Sequence, residues 1–171
     1  VEPKVLFAAD GYYYNGKLHV SLAKVRQLAE EIESLEHVAV VELMALKADI
    51  SGIKKAVHYR QWQGDFADNV EIEFAQLPFN HPLYIMYSSG TTGVPKCIVH
   101  GAGGTLLQHL KEQQLHCDVQ PEDRLFYFTT CGWMMWNWLV SGLASGATLI
   151  LYDGSPMAGD GRVLFDAIDR E

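Results

Sequence analysis

Apolar positions along the chain fall into short runs separated by polar turns, and the spacing within each run predicts its element. Val5, Leu6, Phe7, Ala8 and Ala9 form an unbroken run that stops at Asp10-Gly11, which reads as a short buried strand followed by a loop. Ser21 is placed to cap a helix, and Leu22, Val25, Leu28, Ala29 and Ile32 behind it repeat at helical spacing. The β-branched run "HVAVVEL", starting at His37, follows as a second strand. Strand, helix and strand in that order predict a βαβ unit and therefore a parallel sheet. From about Lys47 to Gln76 the periodicity weakens, and connecting structure is expected there, with a short strand near Val57 and some helix.

The signal recovers at Leu83. "LYIMY" predicts a buried strand that runs straight into a loop rich in Ser, Thr and Gly. "TLLQHLKEQQLH" after Gly103-Gly104 carries Leu106, Leu107 and Leu110 on one helical face. "RLFYFTT" predicts a strand, "WMMWNWLVSGLASG" a largely apolar helix, "ATLILYDG" another strand, and "RVLFDAIDRE" the start of a helix. No repeat, low-complexity tract or linker interrupts the series. Residues 1–171 are therefore expected to form a single α/β unit, a helix-flanked and mainly parallel sheet. Its binding loops should lie at the carboxyl ends of the strands.

Composition narrows the function classes. With 49% hydrophobic and 20% charged residues, the 171-residue chain reads as globular, long enough for one core and short for two ordinary domains. A net charge of -8 argues against nucleic-acid and anionic-membrane partners, which need a basic face. No apolar run approaches the ~18 residues of a membrane span. "VEPKVLFAAD" lacks the features of an export signal, and Cys97, Cys117 and Cys131 are widely spaced without a CxxC pair. A reduced, cytoplasmic setting is expected, without a structural zinc site.

Two stretches compete as phosphate loops. "GYYYNGKL", Gly11 to Leu18, matches G-x-x-x-x-G-K, but Leu18 stands where Ser or Thr would hold magnesium. Three tyrosines would also crowd a backbone that must close on phosphate. This stretch is expected instead to be a loop that buries aromatic rings against the domain edge.

"SSGTTGVPK", Ser88 to Lys96, fits better. Gly90 and Gly93 permit positive φ and close backbone approach, and successive amides in such a turn bind anions. Ser88, Ser89, Thr91 and Thr92 add rotatable hydroxyl donors. Pro95 stiffens the exit, and Lys96 brings a mobile positive charge. A polyphosphate uses all of these together. A Ser/Thr/Gly hairpin tip would share the composition, though not the buried strand before the loop and Pro-Lys after it.

Other candidates weigh less. His100, His109 and His116 share no ligand spacing, and His100 is expected to pack beneath the loop rather than act as a base. Glu30, Glu31, Glu33 and Glu36 read as a solvated helix face, and Asp153-Gly154 as a tight turn. Trp133, Met134, Met135, Trp136 and Trp138 read first as the apolar surface of a buried helix. Asn137, the polar residue among them, is placed to hydrogen-bond a ligand or a helix end.

The stretch "YSSGTTGVPKCIVH" resembles the phosphate-loop signature of the acyl-adenylate-forming family, which includes acyl-CoA synthetases, luciferases and peptide-synthetase adenylation domains. The family pattern usually has Gly after the lysine, where this chain has Cys97, a position outside the cradle. "FAQLPFNHPLYIMYSSGTTGVPKCIVHGAGGTLLQHLKE" and "FTTCGWMMWNWLVSGLASGATLILYDGSP" are most similar to the branch whose acid is acetoacetate. That resemblance implies a Rossmann-like or flavodoxin-like subdomain of an acyl-adenylating enzyme. It implies acetoacetate, ATP and coenzyme A as substrates, with Mg2+ held largely by residues outside this chain. By resemblance, Ser88, Ser89, Gly90, Thr91, Thr92, Gly93 and Lys96 cradle the nucleotide's phosphates, with Thr92 and Lys96 acting on the departing pyrophosphate. Such loops close on nucleotide, so weak order is expected without ligand. Trp133, Met134 and Met135 would line the acyl pocket, with Asn137 beside them. The family's later motifs are missing, which implies an internal fragment of the large N-terminal AMP-binding domain, without the C-terminal domain and inactive alone. A short- or medium-chain fatty acid in place of acetoacetate, or a non-catalytic nucleotide-binding module, are the alternatives.

Overall fold

A computed structural model describes residues 2–44, 47–64, 71–88 and 93–170. The chain divides into two compact units, Val1–Ile72 with Met157–Val163, and Glu73–Pro156 with Leu164–Glu171.

In the first unit, β1 (Val5–Ala9) is followed by β2 (Gly11–Tyr14), β3 (Lys17–Val20), α1 (Leu22–Glu31), β4 (His37–Val41), β5 (Ala56–His58) and the short α2 (Tyr59–Gly64). Strands β1, β4 and β5 form a parallel sheet in that order, with Phe7 opposite Ala39 and Ala39 opposite Val57. Val38, Ala39 and Val40 are wholly buried, as an apolar run in a central strand covered on both faces should be. Val38 and Val40 join Val25 and Ala29 of α1, Leu35 and Ile53 in one core. Alternation sends Phe7 and His37 to the other face. There the Trp62 ring of α2 lies 5.8 Å from Phe7 and 5.5 Å from His37. Ser21 stands at the N-cap of α1, but its hydroxyl bonds no helix amide.

"GYYYNGKL" is a β-hairpin, not a ring-burying loop. Tyr14 pairs with Lys17, leaving Asn15-Gly16 as a two-residue turn with φ of 49° and 73°. Positive φ at both positions marks a type I′ turn, which Asn-Gly favours because it matches strand twist. Tyr12, Tyr13 and Tyr14 are 43%, 61% and 45% exposed. The phosphate-loop match was therefore coincidental, and its rejection rests on backbone geometry as well as on Leu18.

The second unit contains β6 (Pro82–Ser88), β7 (Lys96–Gly101), α3 (Ala102–Leu110), β8 (Arg124–Phe126), α4 (Met134–Val140), β9 (Thr148–Ile150) and all but the first residue of α5 (Val163–Ile168). Helix α3 continues as a π-helical segment, Lys111–His116, and α4 as a 3-10 segment, Ser141–Ser145. The latter ends at Gly146, whose φ of 81° is the left-handed conformation of a helix stop. Strands β8 and β9 are parallel and joined through α4. Strands β6 and β7 form an antiparallel ribbon. The α/β class with parallel pairs and flanking helices is the one expected, while β7 is an addition.

The buried side of α3 is not its leucine stripe. Leu106 and Leu107 are exposed, whereas Thr105 and Gln113 are buried. Gln113 meets the 3-10 segment, where Ser141 and Ser145 supply its hydrogen-bond partners, so its amide is buried at low cost.

Candidate active site

Strand β6 delivers the chain to the phosphate-loop candidate and β7 receives it. Ser88 and Lys96 are opposite one another in the ribbon, as are Met86 and Ile98, and Tyr84 and His100. Directly opposed residues of an antiparallel pair share a face, and alternate residues along each strand return to it. One face of the ribbon therefore carries Tyr84, Met86, Ser88, Lys96, Ile98 and His100. The other carries Ile85, Tyr87, Cys97 and Val99. Both ends of the loop thus project from the same side. Ser89, Gly90, Thr91 and Thr92 lie outside the described residues, and so does the expectation about their order. Gly93 is described, with φ of 145°, a backbone that side chains rarely adopt.

Helix α4 meets the Met86 face of the ribbon. Asn137 Nδ2 lies 3.3 Å from Met86 Sδ. An open recess of about 920 Å³ lies beside this contact, lined by Met86, Ser88, Pro95, Ile98, His100, Cys131, Trp133, Met134 and Asn137, and also by Ile85 and Tyr87, which alternate to the other face of the ribbon. The strand before the loop and the Gly-Trp stretch, about 50 positions apart, are thus brought together. Trp133 is 72% exposed, which overturns its reading as the surface of a buried helix. Met135 belongs to a smaller cavity of about 220 Å³ with Tyr127, Phe128 and Trp133. His100 lines the recess opposite Tyr84.

A buried network fixes α4 from behind. Gln113 Nε2 donates to the Trp138 carbonyl at 2.8 Å and to Ser141 Oγ at 3.2 Å, and Gln113 Oε1 accepts from Ser145 Oγ at 3.3 Å. His109 Nδ1 sits 2.8 Å from Ser141 Oγ. Burial holds the His109 imidazole below its ordinary pKa, nearby His100 adds to the depression, and Glu112 opposes it. Where α4 turns into its 3-10 segment, Gly142 lets the chain press onto β8, since a Cβ there would fall 2.6 Å from Leu125 Cδ2.

Met86, Ile98 and Cys131 were not picked out from the sequence. Alternation within "YIMYS" and "KCIVH" would have put Met86 and Ile98 on the face of Ser88 and Lys96, once the second run was taken as a strand.

A family model for AMP-binding enzymes matches residues 1–171, the whole chain. The chain belongs to that family. It is 53% identical over 169 residues to acetoacetyl-coenzyme A synthetase of Rhizobium meliloti, covering 97% of this chain and 25% of that protein. It is 49% identical over 161 residues to malonamoyl-CoA synthetase of Penicillium aethiopicum, covering 91% and 22%. The solved acetoacetyl-CoA synthetase from Streptomyces lividans superposes with a TM-score of 0.79 at 47% identity, covering 91% of this chain and 23% of that one. The chain spans about a quarter of the length of the curated relatives it matches. Among the described residues no helix is long and apolar enough to cross a membrane.

Proposed function

We propose that the protein carrying this chain joins a short acid with a carbonyl at C3, acetoacetate in the first instance, to coenzyme A at the expense of ATP. The observation that supports this reading is the ribbon face shared by Ser88, Lys96 and Met86, with Asn137 of α4 against Met86 beside an open recess. Relatives named for acetoacetyl and malonamoyl products support the acid class, because both acids bear a second carbonyl at C3.

In the first half-reaction a carboxylate oxygen attacks the α-phosphorus of ATP. The bond to the β-phosphate breaks, and pyrophosphate leaves with the electron pair. Charge then accumulates on the departing group, where Ser88, Ser89, Gly90, Thr91, Thr92, Gly93 and Lys96 supply amides, hydroxyls and one cation. Lys96 and Thr92 are assigned the closest part in that step. In the second half-reaction the coenzyme A thiol loses its proton, its sulfur attacks the acyl carbon, and AMP departs. Trp133, Met134, Met135 and Asn137 are assigned to the acid and its approach path.

Magnesium accompanies ATP in this reading. Its protein ligands are assigned largely to residues outside this chain. The chain is read as one part of the large N-terminal AMP-binding domain, with the C-terminal domain elsewhere in the same polypeptide. A cytoplasmic setting suits three exposed free thiols.

Acid-dependent ATP–pyrophosphate exchange by the full-length protein tests the reading. Exchange should rise with acetoacetate, and AMP should be released once coenzyme A is added. Exchange driven by butyrate or octanoate in preference to acetoacetate would replace this acid with a fatty acid. The absence of exchange with every acid would leave a nucleotide-binding module.

A further inference from the structure

We propose that Asn137 is the residue that selects acids bearing a C3 carbonyl, by donating its carboxamide N–H to that oxygen. The inference rests on the adenylating reading above and names the group that reads the acid. Asn137 lines the large recess, and its Nδ2 faces the sulfur of Met86 at 3.3 Å. A thioether is a weak acceptor, so this contact leaves most of the donor's capacity unused. A carbonyl oxygen entering the recess offers a much better acceptor, and exchanging sulfur for oxygen gains a hydrogen bond without uncovering another buried group.

Position supports the same assignment. Met86 lies two residues before Ser88, about 7 Å along the strand. The carboxamide therefore sits one side-chain repeat inside the edge at which Ser88 and Lys96 flank the phosphate loop. An acid whose carboxylate reaches toward the nucleotide at that edge directs its chain inward, past Asn137. Met86, Ile98 and Met134 around it are apolar and suit a terminal methyl, yet offer no donor to an oxygen at C3. Other donors in the recess are placed less well. Ser88 belongs to the loop end, His100 lies on the strand level beyond Met86, Tyr87 alternates to the opposite face of the ribbon, and Trp133, one turn before Asn137, is 72% exposed. Leaving the C3 oxygen unpaired in an apolar recess would penalise acetoacetate and malonamate relative to butyrate. A donor at this level reverses the preference.

The test uses full-length protein and the initial rate of AMP formation with acetoacetate, malonamate and butyrate, in wild type, Asn137→Leu and Asn137→Asp. Wild type should favour the two C3-carbonyl acids. In both variants the acetoacetate-to-butyrate ratio of kcat/KM should fall about 10- to 100-fold, the range for losing one substrate hydrogen bond. Asn137→Asp has the same shape but presents only acceptors, so it keeps the measurement available if the leucine variant does not fold. A ratio unchanged in the variants, with both acids slowed alike, overturns the role of Asn137 and leaves the adenylating reading standing. Wild type preferring butyrate over both other acids overturns the choice of acid and this inference together.

Discussion

Gln113 Nε2 donates to the Trp138 carbonyl at 2.8 Å across 25 positions of sequence, and Gln113 has no solvent-accessible surface. The bond ties the π-helical continuation of α3 to α4, the helix that presents Trp133, Met134 and Asn137. Gln113→Leu roughly preserves volume but takes the acceptor from the buried Ser145 hydroxyl and removes one of two donors to the Trp138 carbonyl, leaving it with Ser141 Oγ at 2.7 Å, at a cost of about 1–3 kcal/mol. Urea unfolding should show a lower midpoint at unchanged slope. If the network also holds α4 in register, KM for the acid should rise while KM for ATP stays level.

Asp10 plays a comparable part at the end of β1. It is 5% exposed, and its Oδ1 accepts from the amides of Leu43 and Met44, each at 2.9 Å. Asp10→Asn keeps an acceptor in the same place and should be mild. Asp10→Leu takes this acceptor from the Met44 amide and leaves the Leu43 amide with the Val41 carbonyl at 3.1 Å, and should lose about 1–3 kcal/mol. Thermal denaturation of the two variants beside wild type separates these outcomes, and equal losses would show that charge rather than acceptance matters.

His109 makes the stability of the second unit depend on pH. Its folded pKa is depressed, chiefly by burial, so the folded state binds fewer protons than the unfolded chain just below the ordinary histidine value of about 6.5. The contribution is therefore complete above that value and is lost as pH falls toward the folded pKa. Midpoints measured from pH 7.5 down to pH 5.5 should decline more steeply in wild type than in His109→Gln, which has no titrating ring.

What was legible in the sequence follows from what hydropathy can weigh. Strand β4 announced itself because a strand covered on both faces must be apolar at every position, and Val38, Ala39 and Val40 are. The Asn15-Gly16 hairpin was equally legible, but the stretch was weighed against a G-x-x-x-x-G-K loop and then expected to be a ring-burying loop, so its Asn-Gly turn went unread. The buried face of α3 was not legible. Gln113 looks like a surface residue until its partners on the 3-10 segment, Ser141 and Ser145, are in place, and Thr105 is buried on the same helix. The phosphate-loop candidate could be proposed from local sequence because the role proposed for Gly, Ser and Thr there uses their own backbone and hydroxyls. The Asn137–Met86 contact spans 51 positions and depends on how α4 meets the ribbon, which no local pattern encodes.

Lys96 and Cys97 are adjacent in sequence but project from opposite faces of the ribbon, Lys96 opposite Ser88 and Cys97 opposite Tyr87. Their substitutions should therefore part company. Lys96→Ala removes the cation at the loop exit and should slow pyrophosphate exchange about 10²- to 10³-fold, the usual effect of deleting one group that stabilises developing charge. Lys96→Arg should recover part of the rate, since it restores charge with a different reach and geometry. Cys97→Ala acts on the far face, where the thiol is exposed, and should leave exchange within about twofold of wild type. Lys96 is exposed as well, so circular dichroism of all three variants should match wild type. A Cys97→Ala loss as large as that of Lys96→Ala would mean that the effect does not depend on which face of the ribbon is altered, and the assignment of the departing phosphates to the Lys96 face would fall.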